Sequence, residues 1–202
     1  MPREVRERQM MDAAVLTFGR RGYQAASMDE IAELAGVSKP LVYLYLHSKE
    51  ELFTACIRRE SEALLRVVAG AVEGDGPAEE RLWAGVLAFF THTAGHPDAW
   101  AVLSRQARAQ GEPFATEAER MRDRIIAYVA ELVAAAAQEP CDAEGIAQAL
   151  VGAAESLANW ANGRAGVSSG VSPERAAETL MGLVWRGLAD LAPDLSKTLS
   201  TP

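Results

Sequence analysis

Cysteine is nearly absent from this 202-residue chain: Cys56 and Cys141 stand far apart and form no Cys-x-x-Cys pair. That excludes a disulfide scaffold and a zinc site built from cysteine alone. Long apolar runs are missing too, since none reaches the roughly 18 residues that a membrane-spanning helix needs. The first eight residues, Met-Pro-Arg-Glu-Val-Arg-Glu-Arg, are mostly charged, so no secretory leader and no membrane partner are expected, and the expected compartment is the cytoplasm. No stretch alternates apolar and polar residues as a half-buried strand does. Catalytic constellations are also lacking. The chain has three histidines, no Gly-x-Ser-x-Gly elbow, no glycine-rich phosphate loop and no paired Cys/His nucleophile. An enzyme is therefore not expected, and nothing calls for a cofactor.

Basic residues are outnumbered, with 20 Lys and Arg against 28 Asp and Glu for a net charge of −8. The deficit is uneven. Residues 1–60 hold nine basic and nine acidic side chains, whereas residues 61–202 hold 11 and 19. A neutral head on an acidic body is compatible with a head that meets phosphates, because local placement decides that question. The remaining composition, 49% hydrophobic and 24% charged, is ordinary globular material with enough chain for one or two domains.

Helix signals recur throughout. Met11, Ala14, Val15 and Phe18 form an i, i+3, i+4, i+7 stripe over residues 5–21, and Gly22 follows as a C-terminal stop. Ser27-Met-Asp-Glu30 and Ser48-Lys-Glu-Glu51 are capping boxes, the second heading a helix over 49–73. Ser38 opens a helix in which Pro40 is tolerated because it lies in the first turn. Gly74-Asp-Gly-Pro77, His96-Pro97, Gly111-Glu-Pro113, Glu139-Pro140, the 163–170 stretch and Ala192-Pro193 punctuate the rest. They delimit helices over 78–94, 98–109, 114–138, 143–163 and 173–191. The expectation is an all-α protein of about nine helices.

From Met28 to Leu46, two short helices are joined by Ala35-Gly36-Val37-Ser38. A helix-turn-helix needs a small residue where its helices approach, a glycine suited to positive φ in the turn, and an apolar residue pinning the second helix. Ala32, Gly36 and Val42 meet those demands, with Ile31 and Val37 adding to the packing face. The same spacing also fits a plain αα-corner. Beyond spacing, Met10 to Tyr23 is similar to the first helix of TetR/AcrR-family transcriptional regulators, and Ser27 to Phe53 continues the resemblance without a gap. It implies a homodimeric repressor whose head, residues 1–48, binds a palindromic double-stranded DNA operator. Residues 49–202 would form a divergent bundle for dimerisation and for a small-molecule inducer. The alternative is a helical protein-interaction module whose head no longer binds DNA.

On that resemblance, helix 39–46 enters the major groove with its N-terminal turn leading. Lys39, Pro40, Leu41 and Leu44 then face base edges, and Ser38 belongs to the same surface. Tyr43, Tyr45 and Lys49 reach towards phosphates, and Ser27 contacts one while capping its helix. Tyr45 reads equally as core packing. Many family members carry Gly-Thr where this chain has Pro40-Leu41, and a polar or basic residue in place of Leu44. Reading would then rely on thymine methyls and DNA shape.

In the body, Trp160 reads as the wall of an effector cavity, with Glu155 and Asn159 near it on one helix and Trp100 as a further aromatic wall. The competing reading makes Trp160 core and Glu155 solvent-facing. Small residues such as Gly152 and Gly182, with the apolar Leu157, Leu180, Leu183 and Val184, suit either a four-helix dimer interface, which the resemblance favours, or packing within one chain. His92 and His96 have the spacing of two metal ligands on a helix, but no third ligand is evident and no metal is expected.

Overall fold

A computed structural model of the chain describes residues 3–136, 141–163 and 170–191. The breaks read at Glu139-Pro140 and Ala192-Pro193, and the interior of the 163–170 stretch, lie outside the described residues. Every regular element among those described is helical. They are α1 (Arg3–Arg21), α2 (Met28–Leu34), α3 (Lys39–Leu46), α4 (Lys49–Val72), α5 (Ala78–Gly95), α6 (Pro97–Ala101), a π-helical turn (Val102–Gln106), α7 (Ala107–Ala109), α8 (Phe114–Ala136), α9 (Ala143–Ala161) and α10 (Pro173–Leu191). Backbone angles stay right-handed helical at the junctions between α6, the π turn and α7, so these three pieces form one rod. No described helix is long and apolar enough to cross a membrane.

The head is α1–α3. The α1 stripe of Met11, Ala14, Val15 and Phe18 is buried. Gly22, at φ +82°, ends the helix by donating its N–H to the Phe18 carbonyl. The turn from α2 to α3 is a Schellman motif. Gly36 at φ +65° donates to Glu33 O at 3.0 Å, and Val37 donates to Ala32 O at 3.0 Å. These two bonds satisfy carbonyls left open by the end of α2 and set the direction of α3. Val42, fully buried, pins α3 from below. Of the two capping boxes, Ser48 accepts the expected N–H of Glu51, while Ser27 accepts from Asp29 and Glu30 turns to Arg21 instead.

Head and body share one core. Phe18 on α1, Tyr23 after it, Phe53 on α4 and Phe114 at the start of α8 form an aromatic cluster with successive centroids 4.8–6.0 Å apart. Each fully buried phenylalanine contributes about 1.5–3 kcal/mol, so this cluster resists separation of the head. Helix α4 leaves the head and packs against α5 and α8, and α9 and α10 complete the bundle.

Candidate nucleic-acid interface and effector cavity

Helix α3 presents an uncovered face. Ser38, Lys39 and Pro40 at its start, and Tyr43 and Leu44 further on, are exposed, while Leu41 is half-buried. The Ser38 hydroxyl makes no capping bond, although Ser38 is the N-cap. Lys39 Nζ lies 2.9 Å from Asp29 Oδ2, and the hydrogen bond and charge of that carboxylate raise the ammonium above its ordinary pKa. Both partners are solvated, so this pair is a weak tether. Ser27 is exposed while it caps α2.

Two of the groups read towards phosphates are held within the head. Tyr45 packs on the core with the Arg3 guanidinium 5.1 Å above its ring. Lys49 Nζ donates to the Gln24 carbonyl at 3.2 Å and sits 4.8 Å from the Tyr23 ring centroid, where desolvation lowers its pKa.

The body holds an apolar cavity with about 50 Å³ of open space between α4, α5, α8, α9 and α10. Leu64, Phe89, Met121, Ile125 and Leu150 are among its walls, and Trp100 closes one side. The indole is buried, edge-on to Phe89 at 5.4 Å, and donates from Nε1 to Asn159 Oδ1 at 3.0 Å. The charged group on the wall is Glu155, paired with Arg108 at 3.0 Å and with Arg122 at 3.3 Å. A second, more polar hollow of about 600 Å³ runs along the junction of α1, α6 and the end of α9. There Arg20 bridges to Asp98 at 3.2 Å, and Gln106 accepts the Tyr23 N–H at 3.4 Å.

Two family models match this architecture: the bacterial regulatory proteins of the tetR family over residues 10–56, and the tetracyclin repressor-like C-terminal domain over residues 78–187. The chain belongs to the TetR family. It is a transcriptional regulator with a helix-turn-helix DNA-binding head, not an enzyme. A TetR-like regulator from Rhodococcus sp. RHA1 is 41% identical with a TM-score of 0.82, covering 94% of this chain and 98% of that one. FadR from Bacillus subtilis, solved in complex with stearoyl-CoA, shares the fold at 17% identity and TM-score 0.77, over 88% and 97% of the two chains. Among curated proteins, the transcriptional activator FasR of Mycolicibacterium smegmatis is 44% identical over 90 residues, 45% of this chain and 41% of that protein. BetI of Rhizobium meliloti is 31% identical over 150 residues, 71% of each.

Within this TetR-family body the structure moves two residues from where the sequence suggested. Trp160 is 59% exposed and lines neither hollow, because it sits on the outer face of α9. Leu180 is buried and lines the apolar cavity, because α10 turns it towards α5 rather than outward. Trp100 and Glu155 do line that cavity, and Asn159 lines the polar hollow. Gly152, Leu157 and Val184 are partly covered, and Leu183 is 52% exposed. His92 and His96 stack at 4.4 Å, and no cluster of three metal-capable side chains exists among the described residues. Sequence reasoning missed Arg108 and Arg122 around Glu155. An i+3 or i+4 search around Glu155 finds neither, since both arginines come from other helices.

Proposed function

We propose that the protein is a homodimeric repressor that binds a palindromic operator through α3 and is released by a mainly apolar effector that enters the body cavity and widens it from about 50 Å³ by displacing Trp100. On this reading the head is residues 1–48 and the effector and dimer domain is residues 49–202. The carrying observation is the α6–π–α7 rod. It places Trp100 on the cavity wall and Asp98 and Gln106 against α1 and Tyr23, so one element touches both the cavity and the head. An effector that displaces Trp100 therefore changes the docking of α1, and with it the spacing of two heads on two half-sites. The stearoyl-CoA bound by the FadR neighbour agrees in kind with an apolar cavity. The dimer rests on α9 and α10, whose outer face carries Ile146, Ala149, Ala153, Trp160 and Leu183, an apolar surface that a second copy would cover. DNA as partner places the protein in the cytoplasm.

Fluorescence anisotropy with DNA from upstream of its own gene tests this reading. Specific binding should exceed binding to unrelated DNA by at least about 1,000-fold. Dodecanol, a tail without a charge, should quench or shift tryptophan emission and weaken operator binding. Binding to no DNA at all would instead favour a protein-interaction module. A reporter fused to the same DNA reads the sign, since an operator upstream of the promoter gives activation, the role in FasR's name.

A further inference from the structure

Grip on a DNA backbone needs cations that are free to meet phosphates. Residues 1–60 hold nine basic side chains, and the six from Arg20 to Arg59 are committed. Arg20, Arg21, Lys39, Arg58 and Arg59 each lie 2.6–3.2 Å from a carboxylate oxygen, and Lys49 is held by the Gln24 carbonyl. A cation beside a carboxylate offers a phosphate little net charge. The other three, Arg3, Arg6 and Arg8, occupy the first two turns of α1 and have no ion-pair partner among the described residues. Glu4 and Glu7 share those turns without closing a pair on any of them.

These arginines do not all face one way. At about 100° per residue, Arg6 stands about 60° from Arg3 around α1, whereas Arg8 stands about 140° away, on the side of Asp12. Arg3 and Arg6 continue the face of Met10 and Ala14, which the head buries, and that face runs on to meet α3. The Arg3 guanidinium lies 5.1 Å above the Tyr45 ring. Tyr45 is half-buried next to the exposed Leu44, so the stack sets Arg3 at the flank of the uncovered face of α3. A stacked guanidinium keeps its in-plane N–H donors free, and their fork matches phosphate oxygens. Basic side chains at a helix N-terminus oppose its dipole, so Arg3 and Arg6 do not serve the stability of α1.

We infer that the start of α1 is a second DNA-contacting surface of the head: Arg3 and Arg6 hold backbone phosphates flanking the bases met by α3, and Tyr45 is the positioning residue that keeps Arg3 there. The inference rests on the proposed reading of α3 as the helix that enters the groove. Labour is then divided between two helices. Helix α3, whose one cation is tied to Asp29, meets base edges, while α1 supplies the salt-sensitive attraction. Tyr45 acts on the phosphate through Arg3 and not through its own hydroxyl.

Fluorescence anisotropy of the full-length protein with a duplex from upstream of its own gene, and with an unrelated duplex, gives affinity and salt slope over about 50–300 mM potassium chloride. Arg3→Ala and Arg6→Ala should each weaken binding to both duplexes roughly tenfold per bound head, the scale of one charge-assisted contact. Each should also reduce the log–log slope by about one unit per bound head and leave the ratio between the duplexes unchanged. Arg8→Ala removes the same charge from the other face and should change the slope far less. Tyr45→Leu should reproduce the loss of Arg3→Ala and add nothing to it in the double variant, whereas Tyr45→Phe, which keeps the ring, should bind as wild type does. A slope unchanged in Arg3→Ala and Arg6→Ala, or reduced equally in Arg8→Ala, would overturn the α1 surface while leaving α3 in the groove. Equal losses in Tyr45→Phe and Tyr45→Leu would overturn the positioning role, because the hydroxyl would then be the contact. A wild type that binds neither duplex would overturn the reading of α3 as well.

Discussion

Leu44 is 70% exposed on α3, an unusual position for a leucine with no neighbour to cover it. It can neither donate nor accept a hydrogen bond, so against a base edge it discriminates only by packing on a thymine methyl or by bulk. Leu41, one turn earlier on the same face, is half-buried and partly serves the head's packing. Leu44→Ala should therefore relax preference at one A·T position per half-site by about 1 kcal/mol while leaving stability within about 0.5 kcal/mol. Replacing the matching thymine with uracil should weaken wild type and leave the variant indifferent; equal losses in both would remove Leu44 from the groove. Lys49 belongs to a different case. Its ammonium is held by the Gln24 carbonyl and the Tyr23 face, a placement that no local pattern in the sequence announces.

Among elements, the contact between α1 and α6 is the tightest coupling of head to body. A Cβ built on Gly19 would lie 2.6 Å from the Asp98 carbonyl oxygen and 2.8 Å from its Cα, so the two backbones touch. Gly19→Ala has no flexible side chain to push aside and must separate the helices. It should cost about 1–3 kcal/mol in urea unfolding and shift operator affinity, because the head is re-aimed. Gly70→Ala on α4 is the control. Nothing lies within 4 Å of that position, so removing a helical glycine there should stabilise by up to about 1 kcal/mol. If the two substitutions behave alike, the close approach of α1 to α6 carries no coupling.

For the whole molecule, the proposed dimer rests on the outer face of α9 and α10. Both helices are apolar on two sides. Ala147, Leu150, Val151, Leu180 and Met181 face the body, while Ile146, Trp160 and Leu183 face away from it. A Cβ on Gly182 meets nothing within 4 Å in its own chain. Gly182→Phe should accordingly leave the monomer folded yet clash with a second copy, lowering association by about 1–3 kcal/mol. Sedimentation should show a wild-type dimer at micromolar concentration and a shift towards monomer for Gly182→Phe and for Leu183→Glu. A wild-type monomer under those conditions would refute the dimer.

The helices, their caps and the turn of the head were legible in the sequence, because each depends on neighbours within a few positions. The stripe from Met11 to Phe18, the serine caps and Gly36 in its Schellman turn act through local geometry alone. So did the family, whose signature lies in that same contiguous head. Which face of α9 and α10 turns inward was not legible, since both helices are apolar on two sides and only packing against α5 and α8 breaks the tie. That is why Trp160 lies outside and Leu180 inside. The cavity, its arginine-bound Glu155 and the Trp100–Asn159 hydrogen bond join residues from distant parts of the chain, Leu64 on α4 and Leu180 on α10 among them. Their meeting is set by how the helices cross, a property of the assembled bundle that periodicity along one helix does not carry.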